Sequence, residues 1–213
     1  MGKQVVATDG RVIGHRAELT RRRLLDATAR VLADRGALDL KVIDVTRRIG
    51  SSPATFYQYF EGVEDAILTL AAEAGADLAA LSPLVSAEWD KKNGLAKVRE
   101  FVAAFIDYWD EHKAILRIRN LRSEEGDARF RNLRLAANKL TMDVFNGKVE
   151  SGQAAGRLPM ELNADTTAGA MMAVLERMAA FHAGFEQRGV APDDLIETVA
   201  RIIYQTLTGF KAT

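Results

Sequence analysis

Apolar residues recur at helical spacing along most of the chain, and runs that alternate with a period of two are nearly absent. The first clear stripe has apolar positions at i, i+3, i+4, i+7 and i+8, formed by Leu24, Ala27, Thr28, Val31 and Leu32. Gly36 follows this stripe as a candidate C-terminal cap. Because strands would need alternation, the pattern predicts an all-α protein.

The periodicity predicts about nine helices, at about residues 18–35, 41–48, 53–60, 64–81, 94–111, 113–123, 127–152, 163–186 and 192–209. Helix-breaking and capping residues mark several ends: Gly50 after the second helix, Ser52-Pro53 before the third and Gly209 at the end of the last. An interruption at residues 82–93 separates the early helices from the rest. We predict a first domain at residues 1–66, with an N-terminal arm and three helices, and a larger helical domain at residues 67–213.

The third predicted helix has two distinct faces. One face is apolar at i, i+3, i+4 and i+7, with Phe56, Tyr59, Phe60 and Val63. The other presents residues suited to close approach: Ala54, Thr55, Tyr57 and Gln58. Glutamine can bond an adenine edge, threonine offers a methyl group to thymine, and hydroxyl groups bond phosphate oxygens. Two short helices joined by a glycine turn behind a longer helix are typical of a helix-turn-helix, although a plain amphipathic core helix fits the periodicity equally well.

Charge is distributed unevenly along the chain. The 29 basic residues equal the 29 acidic residues, so the net charge is zero. Residues 1–50 nevertheless contain 11 Lys and Arg against 6 Asp and Glu, which leaves an acidic remainder. A basic end joined to an acidic body favours nucleic-acid binding at the N-terminal end, although such a balance is common in helical proteins.

Several consecutive features of Val42–Leu68 together resemble the TetR family of bacterial transcriptional regulators: Gly50, Ser52, Thr55-Phe56-Tyr57, Tyr59-Phe60, Glu64 and Ala66-Ile67-Leu68. Leu24–Gly36 is similar to the first helix of that family. The resemblance implies an N-terminal three-helix helix-turn-helix domain that binds operator DNA. It also implies a C-terminal helical domain that binds a small effector and forms a homodimer through the last two helices.

The resemblance implies a set of DNA-binding residues, in which Thr55 and Gln58 face bases and the others contact or approach the backbone: Lys41, Ser52, Ala54, Thr55, Tyr57, Gln58 and Tyr59. Arg21, Arg22 and Arg23 are further candidates for phosphate contact, although such charge runs are commonly a solvated face. The chain departs from the family pattern at Val63, which replaces a phosphate-binding lysine, and at Ser51 and Thr46. Lost phosphate contacts would lower the salt dependence of DNA binding.

The larger domain contains aromatic and soft apolar residues that are candidates for an effector pocket: Phe101, Phe105, Trp109, Ile118, Met142, Phe145 and Met178. The same residues would also suit an ordinary core. A basic group is a candidate for receiving an anionic head of the effector, with a solvated surface as the alternative: Arg117, Arg119, Arg122, Arg129, Arg131 and Arg134. Wide apolar faces on the last two predicted helices favour a homodimer.

Other functional classes lack support in the sequence. The chain has no cysteine, its three histidines are scattered, and no phosphate-binding glycine loop or nucleophile motif occurs. We therefore expect no enzyme activity, cofactor or metal. No signal peptide or charge-free apolar run of membrane-spanning length is evident, so we expect a cytoplasmic protein without membrane contact. The predicted function is a repressor released from a palindromic operator by a small hydrophobic effector. The alternatives are an architectural DNA-binding protein without an effector and a helical enzyme.

Overall fold

The computed structural model describes residues 14–35 and 40–211, and within them it contains nine α-helices and no strand. The helices are α1 (His15–Arg35), α2 (Val42–Arg48), α3 (Pro53–Tyr57), α4 (Val63–Ala79), α5 (Ser82–Val85), α6 (Gly94–Glu124), α7 (Ala128–Ala154), α8 (Ala164–Glu186) and α9 (Pro192–Thr208). The predicted all-α class is confirmed. The predicted arm and the capping role of Gly36 lie outside the described residues.

Three predictions about the helices are wrong in detail. The separate helices predicted at residues 94–111 and 113–123 are one continuous helix, α6, because no proline or glycine interrupts the chain near residue 112. The predicted interruption at residues 82–93 contains the one-turn helix α5, which has Pro83 in its first turn. The third helix ends at Tyr57 instead of residue 60, since the backbone N–H groups of Tyr59 and Phe60 both donate to the carbonyl of Phe56 and form a turn.

The chain divides into two compact units. The first contains the described residues up to Ala74 together with Lys113–Arg134, and the second contains Gly75–His112 with Leu135–Thr213. Helices α4, α6 and α7 therefore each contribute residues to both units. The predicted domain boundary between residues 66 and 67 stays a prediction. That prediction did not include Lys113–Arg134 in the first unit.

The core of the first unit joins residues that are distant in sequence. Its buried members come from α1 to α4 and from the segment 113–134: Leu24, Leu25, Ala27, Leu32, Val45, Phe56, Phe60, Ala66, Ile67, Leu70, Ala71, Ile115, Ile118 and Phe130. Phe130 is completely buried in this set. An ion pair of 2.7 Å between Arg129 and Glu64 joins the start of α7 to the start of α4. The segment 113–134 is thus an integral part of this unit.

The second unit is built around an aromatic cluster, which we define as Trp89, Phe101, Phe105 and Phe145. The ring centroids of neighbouring members lie 6.0–6.5 Å apart. A buried polar pair lies between α7 and α8, where the Asn138 amide donates to the Glu176 carboxylate at 3.1 Å. Helices α8 and α9 pack against each other, and Gly209 ends α9 in the left-handed conformation with φ 72°, as its position in the sequence predicts.

Replacing Phe130 by alanine should destabilise the first unit strongly, because the substitution leaves a cavity in its core. The expected loss is about 3–5 kcal/mol of unfolding free energy, measured by urea denaturation at one protein concentration. Leu135→Ala is the matched control on the same helix, since Leu135 is 63% exposed. Equal losses for the two variants would contradict the inclusion of α7 in this core.

Candidate DNA-binding site

The short helix α3 is fixed at its start by Ser52. The Ser52 hydroxyl accepts a hydrogen bond from the backbone N–H of Thr55 at 3.2 Å and lies 3.1 Å from the Thr55 hydroxyl. Pro53 occupies the first helical turn, where its missing N–H leaves no bond unmade. A serine cap and a proline therefore start a helix of only five residues.

The turn before α3 depends on the backbone of Gly50. Gly50 has a φ of +64°, a conformation that glycine adopts without steric cost. This conformation ends α2 and allows the Ser51 N–H to donate to the carbonyl of Thr46 at 2.9 Å. Thr46, where the family commonly has alanine, is completely buried. The turn that joins α2 and α3 is thus closed by hydrogen bonds of its own residues.

Aromatic side chains hold the inner face of α3. Phe56 and Phe60 are 0% and 1% exposed, and their ring centroids lie 5.3 Å apart. Tyr59 is half-buried and packs on the same core. Its predicted phosphate contact therefore competes with a packing role. The position of Tyr59 on the apolar face of the third helix already indicated this conflict.

The outer face of α3 carries the remaining predicted DNA contacts. Ala54 and Gln58 are exposed, Thr55 is half-buried, and Tyr57 is 52% exposed. The Tyr57 ring meets the Phe56 ring edge-on, with centroids 6.0 Å apart. The structure thus brings Ala54, Thr55, Tyr57 and Gln58 together at one short helix whose opposite face is buried.

Lys41 lies at the start of α2. Its backbone N–H donates to the Asp44 carboxylate at 3.2 Å, and its side chain is exposed. An exposed ammonium group at a helix start can meet a phosphate oxygen as a point charge. Val63, at the start of α4, is half-buried against the core of the first unit. Where the family pattern has a phosphate-binding lysine, this chain therefore has a packing residue.

Three consecutive arginines of α1, residues 21–23, have partners within the first unit. Arg22 pairs with Asp26 and Glu73, each at 2.7 Å. Arg23 donates to the carbonyl of Ile49 at 3.3 Å, and the Arg21 guanidinium lies 5.0 Å from the Phe60 ring centroid. The charge run alone did not predict these contacts, because every partner except Asp26 lies 26 to 51 residues further along the chain.

The predicted effector residues are divided between the two units. Phe101, Phe105, Trp109 and Phe145 are buried within the second unit, where Met142 and Met178 are half-buried. Ile118 instead belongs to the core of the first unit. The structure therefore does not bring Ile118 together with the other six residues.

The predicted basic group also lies within the first unit. Arg119 is 1% exposed, Arg122 pairs with Glu125 at 2.9 Å, and Arg129 pairs with Asp127 and Glu64. The hydrogen bonds from Arg129 lower the pKa of Asp127 to about 2. These ion pairs lie at the connection between α6 and α7. The site predicted there for an anionic head of the effector stays a prediction.

Within the part of the chain that the structure describes, no group of three or more His, Asp or Glu side chains is placed to hold a metal ion. No described helix is long and apolar enough to cross a membrane.

Comparison with protein families gives two matches. A family described as bacterial regulatory proteins of the tetR family matches residues 24–68, which include α2, α3 and the capping residue Ser52. A family described as the tetracyclin repressor-like C-terminal domain matches residues 81–213. Together these matches cover most of the described chain.

Individual proteins show the same similarity. The HTH-type transcriptional regulator BetI of Brucella suis biovar 1 (strain 1330) is 30% identical over 157 residues, which are 64% of this chain and 75% of that protein. The fatty acid degradation regulator FadR of Bacillus halodurans has a TM-score of 0.65 at 16% identity, covering 87% of this chain and 94% of its own. FadR of Bacillus subtilis, solved in complex with stearoyl-CoA, has a TM-score of 0.62 at 15% identity and covers 89% and 98%. The two structures share the fold of this chain.

Substitutions at Ser52 should separate its capping role from a role in DNA binding. Ser52→Ala removes the cap and should lower the stability of the first unit by about 0.5–2 kcal/mol. Ser52→Asp restores a capping oxygen but adds a negative charge, so it should keep the stability and weaken DNA binding. Urea denaturation and fluorescence anisotropy with duplex DNA measure the two effects. Wild-type affinity for DNA in Ser52→Asp would show that Ser52 does not approach the phosphates.

Proposed function

Because the chain belongs to the TetR family of bacterial transcriptional regulators, we propose that it represses transcription by binding a palindromic operator and that a small hydrophobic effector releases it. The observation that carries the DNA-binding part is the division of α3 into two faces. Phe56 and Phe60 are buried, whereas Tyr57 and Gln58 are exposed on the same five-residue helix and its cap. A helix held in this way presents a fixed set of side chains to the major groove.

In this proposal Thr55 and Gln58 contact bases. The Gln58 amide is suited to a bidentate contact with adenine, and the Thr55 methyl group is suited to thymine. Tyr57, Ser52 and Lys41 contact phosphates, which fix the register of α3 on the duplex. The half-buried ring of Tyr59 packs on the core, and its hydroxyl group is a further phosphate contact.

A homodimer through α8 and α9 is the second part of the proposal. These two helices pack together, and each carries a large apolar side chain that is strongly exposed, Phe181 at 52% and Ile202 at 42%. Covering such side chains by a second copy would remove apolar surface from water. A two-fold dimer also places two recognition helices at half-sites about 34 Å apart, which matches a palindromic operator.

The third part concerns the effector. We assign its apolar portion to the second unit, next to Phe105, Trp109 and the flexible side chains of Met142 and Met178. Flexible methionines adapt to variable apolar ligands. The Trp109 indole N–H is buried without a hydrogen-bond acceptor among the described residues, so it can serve a polar group of the effector. The stearoyl-CoA in the structure of the Bacillus subtilis protein is consistent with an amphipathic ligand for this fold.

Release from DNA requires a link between ligand and α3. Helices α4, α6 and α7 each have residues in both units, and Ile115, Ile118 and Phe130 bury against the same core as Phe56. An effector that displaces α6 or α7 would therefore disturb the packing beneath the recognition helix. In energetic terms, the effector favours a conformation of the chain that binds DNA less tightly.

The DNA-binding part is tested by mapping genomic binding sites and measuring the affinity for the palindrome recovered. We expect two chains per palindrome and a large loss of affinity for a single half-site. Gln58→Ala should cost about 1–3 kcal/mol and relax the preference at one base position in each half-site. Glu61→Ala, an exposed change just beyond α3, is the control and should leave that preference unchanged. Failure of the wild-type protein to prefer any site at moderate salt would refute the proposal.

The effector part is tested by thermal unfolding with a library of apolar and amphipathic molecules. A true effector at about 100 times its Kd should stabilise the protein by about 2.7 kcal/mol and reduce operator binding. Met142→Ala should weaken both responses, whereas Leu140→Ala, an exposed change on the same helix, should not. Operator binding that no library member alters would instead favour an architectural DNA-binding protein.

A further inference from the structure

A second candidate binding site lies in the second unit, and its lining contains none of the residues assigned to the effector. It is a cleft of about 390 Å³ lined by the loop at residues 86–90, by Lys148 and Ser151 of α7, and by Arg157, Thr208 and Phe210. We call it the Trp89 cleft. Its lining joins parts of the chain that are more than 100 residues apart, so it exists only in the folded unit.

Lys148 is the first of two cations that line the Trp89 cleft. Its ammonium group lies 4.2 Å from the centroid of the Trp89 ring and donates to the carbonyl of Ala87 at 2.9 Å. Both contacts hold the charge at the cleft, and the cation–π contact orients it over the indole. Because the group is partly buried, desolvation lowers the pKa of Lys148 to about 8.

Arg157 is the second cation, and the end of α9 holds it in place. Its Nε donates to the carbonyl of Thr208 at 2.9 Å, and its guanidinium lies 4.4 Å from the Phe210 ring centroid. A Cβ atom at Gly209 would lie 2.6 Å from the Arg157 carbonyl oxygen, so the backbone approaches closely here. The position of this cation is therefore built into the fold.

Trp89 is the aromatic residue that holds Lys148 at the cleft. Its side chain is 4% exposed, and its indole N–H is buried without an acceptor among the described residues. Because this nitrogen is inaccessible from the cleft, the ring contributes to the site through its contact with Lys148. Because the ring also packs on Phe101 and Phe145, its orientation is fixed.

The cleft also contains Glu88 and Asp90, whose two negative charges oppose three positive ones on Lys148, Arg157 and the neighbouring Lys97, so the balance stays positive. The Asp90 carboxylate accepts hydrogen bonds from the backbone N–H groups of Lys92 and Asn93, each at 2.7 Å, and these bonds lower its pKa. Asp90 is thus committed to the turn of its own loop. Glu88 faces Lys148, and Lys97 adds a further positive charge by donating to the Glu88 carbonyl at 3.0 Å.

We propose that the Trp89 cleft binds a small oxyanion, a carboxylate or a phosphate, through Lys148 and Arg157, beside the Trp89 ring. Charge-assisted hydrogen bonds from an ammonium and a guanidinium group are the stronger kind, and a guanidinium can bind an oxyanion with two parallel bonds. This site is independent of the proposed operator and effector contacts. It would bind its ligand even if the chain did not respond to a hydrophobic effector.

Tryptophan fluorescence tests the site, because the chain has only two tryptophans. In full-length Trp109→Phe, the remaining signal comes from Trp89. Titration with benzoate and with inorganic phosphate at about pH 7 distinguishes the carboxylate from the phosphate, and benzylamine is the cationic control. We expect a saturable change with at least one anion and none with benzylamine. No saturable change with either anion, or an equal response to benzylamine, would overturn the proposal.

Charge variants identify the groups that bind. Lys148→Gln and Arg157→Gln should each lower the affinity for the anion by about tenfold or more. Lys139→Gln is the matched control on the same helix, because Lys139 is 73% exposed and pairs with Asp143. Equal weakening by Lys139→Gln would show a general charge effect and refute the site. If Trp109→Phe does not fold, the indole N–H signals in 15N spectra of the otherwise unchanged protein give the same measurement, and movement of only one signal is expected.

The pH dependence provides a further readout of the same titration. Benzoate affinity should fall as the pH rises from about 7 to about 9, since Lys148 loses its proton in this range while benzoate keeps its charge. Lys148→Arg should retain affinity across the range. The charged groups around Lys148 are Glu88 and Asp90 of the loop, Lys97 of α6 and Arg157 after α7. Affinity that falls equally in Lys148→Arg would exclude Lys148 as the group responsible.

Discussion

The burial of Phe56 and Phe60 is the interaction on which the rest of the DNA-binding unit depends. Helix α3 has only five residues, and helices of that length are not stable in water by their own hydrogen bonds. Its conformation therefore comes from the Ser52 cap at one end and from the two buried rings on one face. The direction in which Gln58 and Tyr57 point is a consequence of that burial.

The surface that receives these rings includes residues from the middle of the chain. Ile115, Ile118 and Phe130 complete a core that α1 to α4 begin, and Arg129 ties the start of α7 to Glu64 of α4. Helix α3 therefore shares its core with helices whose remaining residues belong to the second unit. Under the proposed mechanism, this shared core makes DNA affinity sensitive to the position of α6 and α7, without requiring any effector contact to α3 itself.

Local chemistry predicted the features that depend on neighbours in sequence. The Ser52 cap, the left-handed Gly50 and the terminating Gly209 follow from residue types whose conformational preferences act within one turn. The burial of Phe56 and Phe60 also followed from helical periodicity. These features account for most of the helix-turn-helix.

Features that depend on distant partners were not predictable in this way. Periodicity shows that Ile118 is apolar on a helix face, but it does not show which core receives that face. The pairing of Arg22 with Glu73 and the contact of Lys148 with Trp89 join residues 51 and 59 positions apart. No local rule selects such partners. For this reason Ile118 was wrongly grouped with the effector residues, and the Trp89 cleft could not be predicted from the sequence.

The packing of Val63 changes how the DNA backbone would be held. A lysine at this position would offer a phosphate contact, whereas Val63 contributes to the core. Arg21, Arg22 and Arg23 of α1 have partners in the free protein. The Arg22 pairs are about half exposed, however, and such pairs contribute only about 0–1 kcal/mol. A phosphate oxygen could therefore replace Asp26 or Glu73 at little cost. Under the proposed function, Arg22 would exchange a carboxylate partner for a phosphate as DNA binds, whereas the side chain of Lys41 is already exposed in the free protein.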